Sequence, residues 1–167
     1  MIIFKDILNG DELFSDAFEP IEIGKVAMEV DCKMVPVGGE DINTGANASA
    51  EEAGEQLEDS VQTVNNVVYS GRLQETQFDK KSYMTYIKGY MKAVKAKLAE
   101  TNPDRIPDFE KEAAALVKKI LGNFKDYEFY VGESMDPDGM VALLNYREDG
   151  VTPYFTFFRD GLKEEKV

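Results

Sequence analysis

The sequence predicts an α+β fold, on three observations. Strand-like segments occupy both ends of the chain, two amphipathic helical patterns lie side by side between them, and no regular alternation of strand and helix appears. Strands, then a helical pair, then strands argue for α+β with antiparallel or mixed strands rather than for a parallel βαβ sheet. With 167 residues and 43% apolar content, the chain is long enough for one domain, 1–167, with a core of ordinary size.

In chain order, residues 1–35 read as short strands and turns. Lys25-Val26-Ala27-Met28-Glu29-Val30-Asp31 partly alternates, as a half-buried strand does, and Asn9-Gly10 is a hairpin turn signal. Residues 36–63 hold seven acids, four glycines, no base and no aromatic residue. Such a stretch buries too little apolar surface to offset its ordering entropy, so it is expected to be a mobile acidic loop. Strand-like composition returns at Asn65-Asn66-Val67-Val68-Tyr69-Ser70.

The clearest pattern follows, over a basic helical hairpin expected at 79–125. Tyr83, Tyr86, Ile87, Tyr90, Met91, Val94 and Leu98 recur at helical spacing and define one apolar face. Asp79 or Thr76 can cap its start, and Asn102-Pro103 ends it, because the residue before proline resists the helical region. A second helix opens near Pro107, with Asp108 and Glu110 suited to the positive end of its dipole. Its apolar face is Phe109, Ala113, Leu116, Val117, Ile120, Leu121 and Phe124. The short connection between the two makes them antiparallel neighbours. Strands resume at 126–132, 140–147 and 151–159, where Asp149-Gly150 between apolar runs signals a hairpin.

Charge is distributed unevenly. Residues 1–79 carry 4 basic and 17 acidic residues, 80–125 carry 11 and 5, and 126–167 carry 4 and 10, for a net charge of −13. The overall sign opposes nonspecific binding to DNA or anionic lipid. The basic middle is either a solvated helix face or a surface for an acidic protein partner.

The chain contains no His, which removes the commonest general base and metal ligand and excludes His-dependent nucleophile systems and the usual catalytic zinc sites. One cysteine, Cys32, excludes an intrachain disulfide, and its acidic neighbours Glu29 and Asp31 oppose thiolate formation. Neither common phosphate-binding glycine loop is present, so no nucleotide or other cofactor is expected. Glu133, Asp136 and Asp138 form either a solvated turn or part of a calcium site, calcium taking roughly six to eight oxygens. Glu12 and Glu133 would serve acid–base chemistry only if they met in a cleft; with 32 acids such pairs arise readily, and no enzyme is expected. The N-terminus lacks the pattern of a signal peptide and no long apolar run spans a membrane, so a cytoplasmic protein is expected.

Several stretches together resemble the translationally controlled tumour protein family. They are Met1 to Asp6 with Asp11 to Asp16, then Gly45 to Glu51, which resembles a first family motif. Tyr86 to Lys92 lies in the first long helix, and Phe129 to Met140 resembles a second motif. Asn145 to Pro153 and Asp160-Gly161-Leu162 complete the resemblance, which covers essentially the whole chain. It implies a β-tent core with a helical hairpin and a long flexible acidic loop. It also implies a non-enzymatic cytoplasmic protein, partly associated with the cytoskeleton; with no committed dimer surface in the sequence, a monomer is expected. The partners implied are tubulin and microtubules, translation elongation factors and the ribosome. Candidate contacts on the hairpin are Lys88, Lys92, Lys95, Lys111, Lys118 and Lys119. Glu12 matches a position implied to contact a Ras-like GTPase, so regulation of a small or translational GTPase, by exchange or by inhibited dissociation, is the alternative. Calcium binding, through Glu133, Asp136 and Asp138, is a further alternative.

Overall fold

The computed structural model describes residues 1–37 and 62–167. The strands are β1 (Ile2–Asp6), β2 (Glu12–Ser15), β3 (Ile21–Ile23), β4 (Ala27–Asp31), β5 (Met34–Val37) and β6 (Gln62–Asn65). After helix α1 (Asn66–Gly71) comes β7 (Gln74–Thr76), then the long helices α2 (Lys80–Thr101) and α3 (Ile106–Gly122). Strands β8 (Glu128–Val131), β9 (Ala142–Tyr146), β10 (Pro153–Phe158) and β11 (Leu162–Lys166) follow. All strand pairs are antiparallel. They form a six-stranded sheet in the order β3-β4-β10-β9-β8-β7, a three-stranded sheet β11-β1-β2 and the ribbon β5-β6.

The six-stranded sheet is covered on both faces, which explains why β10 reads as an almost continuous apolar run rather than a clean alternation. Register places Phe155 opposite Leu144 and Val30, and Phe157 opposite Met28, on one face. Phe14 of the small sheet packs there, its ring 4.5 Å from that of Phe157. The opposite face carries Phe129, Leu143 and Phe158, and the helical hairpin lies on it. Tyr83 and Phe124 meet Phe129 at 5.4 Å and 5.2 Å, and Tyr90 meets Phe158 at 5.7 Å. These centroid distances fall in the range where aromatic pairs add stability beyond their area.

Helix α2 buries the expected stripe of Tyr83, Ile87, Tyr90, Val94 and Leu98. Asp79 caps it: its carboxylate accepts from Ser82 N–H at 2.7 Å while Ser82 Oγ accepts from Asp79 N–H at 3.0 Å. This capping box satisfies donors that the first turn would leave without partners. Helix α3 starts with Pro107 in its first turn and buries Phe109, Ala113 and Ile120. In the β1–β2 hairpin, Gly10 has φ 80°, a left-handed conformation that glycine adopts without strain. Asp149-Gly150 also makes a hairpin, but a wider one than a two-residue turn. Arg147 N–H bonds to Thr152 O at 2.8 Å, and the Asp149 carboxylate accepts from Val151 and Thr152 N–H.

Two expectations need correction. Residues 66–71 are helical, not strand-like. Asn65 accepts from the N–H groups of Val67 and Val68 at 2.9 and 3.2 Å, and this cap outweighs the β-propensity of Val67-Val68-Tyr69. The two ends of the expected acidic loop, 36–37 and 62–63, are strand instead. Pro36 pairs with Thr63 and Val37 with Gln62 in the β5-β6 ribbon. The rest of that expectation concerns 38–61, outside the described residues.

Candidate functional site

Helical periodicity decides which lysines face outward. Lys88 and Lys92 on α2 and Lys111, Lys118 and Lys119 on α3 are exposed, opposite the buried stripes. Among the described residues none of these five has a carboxylate within 4.0 Å. Lys95 differs. It is half-buried and reaches across the hairpin to Glu110 at 3.3 Å, so its charge is partly neutralised by the partner helix. The outward face is therefore cationic and hydrated, and its field acts over about one Debye length, roughly 8 Å at physiological salt.

Glu12 lies elsewhere, exposed at the start of β2. The C-terminal end of α1 presses against β2 here: a Cβ on Gly71 would lie 2.5 Å from the Leu13 carbonyl oxygen. A shallow depression of about 430 Å³ results, lined by Asp11, Glu12, Ser70, Gly71, Arg72 and Glu133. Glu12 and Glu133 thus share a cleft, but Glu133 is held by Arg72 at 3.0 Å.

The turns that frame this depression are bolted together. Ser134 donates to Asp11 Oδ2 at 2.5 Å, and Asn9 Nδ2 donates to Asp136 Oδ2 at 3.1 Å. Behind them Asp6, only 3% exposed, accepts from Met140 N–H at 2.7 Å and from Leu8 N–H at 2.8 Å. The calcium candidates are taken up in this framework rather than gathered. Glu133 pairs with Arg72, Asp136 accepts from Asn9 and from Asp138 N–H, and among the described residues no group of three or more Cys, Asp or Glu is arranged to hold a metal ion.

Burial raises the pKa of Asp6; its two backbone donors oppose the shift, and the charges of Asp11 and Asp136 add to it. The folded state therefore holds this proton to higher pH than the unfolded chain. The stability contributed is complete below the unfolded value of 3.8 and is lost as pH rises through the folded value. Asp6→Asn cannot accept both backbone bonds with its single carbonyl oxygen, and should cost about 1–3 kcal/mol. It also removes the ionisation, so the gap in denaturation midpoint between wild type and variant should narrow from pH 3.8 toward neutrality. Urea titrations across that range check this; a gap that widens would refute it.

Cys32 is buried at the end of β4, and burial pushes its thiol pKa up to about 11. It is an inert packing residue at neutral pH. The tyrosines of α2 are core as expected. Tyr86 is the polar bolt among them, its hydroxyl donating to Gly139 O at 2.6 Å and accepting from Val141 N–H at 3.0 Å. Arg105, at the hairpin turn, is a structural residue that the sequence does not single out. Its fork on Asp160 depends on a contact 55 residues away, with no local signal.

Fold and surfaces together define a mixed α+β protein with a cationic outer face on its helical hairpin and with its polar clusters tied up in structural bonds. Residues 1–163 match the family described as translationally controlled tumour protein. The chain belongs to that family, a non-enzymatic one. It is 62% identical over 167 residues to the translationally-controlled tumor protein homolog of Schizosaccharomyces pombe, covering 99% of each chain. With the homolog of Saccharomyces cerevisiae it shares 59% over 167 residues and all of both chains. The solved structure of the Schizosaccharomyces pombe tumor-associated protein matches with a TM-score of 0.84 at 61% identity, over the whole of both chains. That of the Caenorhabditis elegans protein matches with a TM-score of 0.72 at 30% identity, covering 100% of this chain and 99% of that one. The mixed fold with a helical hairpin expected from the resemblance is therefore the fold of this family. No helix among the described residues is long and apolar enough to cross a membrane.

Proposed function

We propose that this chain is a cytoplasmic interaction protein of protein synthesis and of microtubules, docking acidic partner surfaces through the outward face of its helical hairpin. The reading rests on one observation: five exposed lysines without carboxylate partners among the described residues lie on the two helices of one hairpin, in a chain of net charge −13. The sheet beneath fixes their spacing, and the field they produce speeds encounter with an acidic surface. The resemblance supplies the partner classes, tubulin and the elongation-factor and ribosomal apparatus. Changing Lys88, Lys92 and Lys118 to Glu should weaken microtubule co-sedimentation and elongation-factor capture by about tenfold, equivalent to about 1.4 kcal/mol, with wild-type binding falling as salt rises. Circular dichroism checks that the variant folds. Unchanged binding would make the lysine face mere solvation.

A second reading, regulation of a GTPase, is favoured by the placement of Glu12. It stands exposed in the depression beside Asp11, Ser70 and Arg72, on elements the lysine face does not use. Glu12→Val should then lower a partner GTPase's nucleotide-exchange response while leaving microtubule binding intact. Loss of both activities, or of neither, would remove this reading.

A further inference from the structure

A second cationic surface lies apart from the hairpin face. The end of α2, the β3–β4 turn and the turn at Arg159–Gly161 enclose a depression of about 670 Å³. Ile7, Leu98 and Leu162 supply apolar lining, while Lys25, Lys97 and Lys163 reach it from three separate elements. None of the three lysines has a carboxylate within 4.0 Å among the described residues. The acids at its wall are mostly engaged. Asp160 is forked by Arg105, and Glu22 lies 3.6 Å from Arg159 Nε, which leaves Glu100 as one charge against three. The negative end of α2 also points here, but two of its carbonyls are occupied. Asn102 N–H donates to Leu98 O at 2.7 Å, and the Thr101 hydroxyl donates to Lys97 O at 3.0 Å.

We propose that this depression docks an acidic peptide segment carrying one apolar side chain, with the carboxylates on Lys25, Lys97 and Lys163 and the apolar group against Leu98 and Leu162. Both halves of the site argue for this class of ligand. A bare polyanion would leave the apolar lining wet, and a neutral apolar ligand would approach three ammonium groups without compensating them. The volume lies within the range of about 300–1,000 Å³ typical of small-ligand sites, enough for one anchoring side chain and its neighbours.

The probe is a fluorescent acidic pentapeptide with a central leucine, titrated into the full chain at low salt. Wild type should bind it saturably. The Lys25→Ser/Lys97→Ser/Lys163→Ser variant, with a matching thermal melt, should bind about tenfold more weakly, and a serine-centred peptide should lose about tenfold on wild type. At physiological salt, where the field of a distant charge is screened, the Lys88→Gln/Lys118→Gln/Lys119→Gln variant should bind the leucine peptide as wild type does, which separates this site from the hairpin face. No binding, equal binding by the lysine-to-serine variant, or equal binding of the serine peptide would overturn the proposal. So would tripolyphosphate binding tighter than the peptide and displacing it, which would make this an inorganic polyanion site.

Discussion

Gly161→Ala is expected to destabilise this protein by about 3 kcal/mol, the upper end of what overpacking a core produces. Gly161 is buried in the turn before β11, where its carbonyl accepts from Ile7 N–H at 3.0 Å. A Cβ there would overlap the Tyr90 hydroxyl oxygen and lie 2.6 Å from Met140 Cε. Met140 is flexible and can give way. Tyr90 is only 2% exposed, and its ring is held between Tyr86 and Phe158, so it cannot. The same hydroxyl has no hydrogen-bond partner among the described residues. Tyr90→Phe alone should therefore be neutral or stabilising by up to about 1 kcal/mol. In the double variant the methyl group enters the space the hydroxyl leaves, so the two effects should couple by more than about 1 kcal/mol. Tyr86→Phe is the control: its hydroxyl bridges Gly139 and Val141, and its loss should cost about 1–2 kcal/mol. Urea denaturation of the four variants measures all of this. Additive effects at Gly161 and Tyr90 would show that the clash is relieved elsewhere.

What the sequence revealed follows from the range of each signal. Helices α2 and α3 were legible because seven apolar positions at a period near 3.6 admit one interpretation; the cap was open between Asp79 and Thr76, and the structure gives it to Asp79. Residues 66–71 look strand-like by composition, which weighs Val67-Val68-Tyr69 as strand, while the deciding group is one amide side chain, Asn65, turned back on the chain. The exposure of Lys88 and Lys118 followed from their own helices. The pairing of Lys95 with Glu110 did not, because it depends on the rotation of one helix against the other. Glu133, Asp136 and Asp138 are close in sequence, yet their turn aims them at Arg72, Asn9 and one another's backbone. Asp160-Gly161-Leu162 was visible only as part of a resemblance. Its physical content is two tertiary contacts, Gly161 under Tyr90 and Asp160 beneath Arg105.

Removing Arg105 should have an effect as large as the added methyl, by the opposite route. Arg105 counts among the basic residues of 80–125, yet it offers no charge to a partner. Its side chain is 11% exposed and forks onto Asp160, itself 8% exposed, at 2.9 and 3.0 Å. A third arm reaches Glu112 at 2.7 Å, and Nη2 also donates to the Lys25 carbonyl at 2.9 Å. One guanidinium thus ties the hairpin turn to the β3–β4 turn and to the turn before β11. Arg105→Ala strands a desolvated carboxylate and is expected to cost about 3–5 kcal/mol. Arg105→Lys should recover less than half of that loss, because a single ammonium cannot reproduce the fork and reach Glu112 and the carbonyl together. Arg105→Ala/Asp160→Ala should fall short of the sum of its parts, since no charge is then left unpaired. Amide hydrogen exchange adds a readout that a general loss of stability would not give. Opening should accelerate first at the end of α2 and the start of α3, where the hairpin loses its tie, before it spreads to β10. A lysine variant as stable as wild type would show that charge alone suffices there, and that the fork does not hold the hairpin in place.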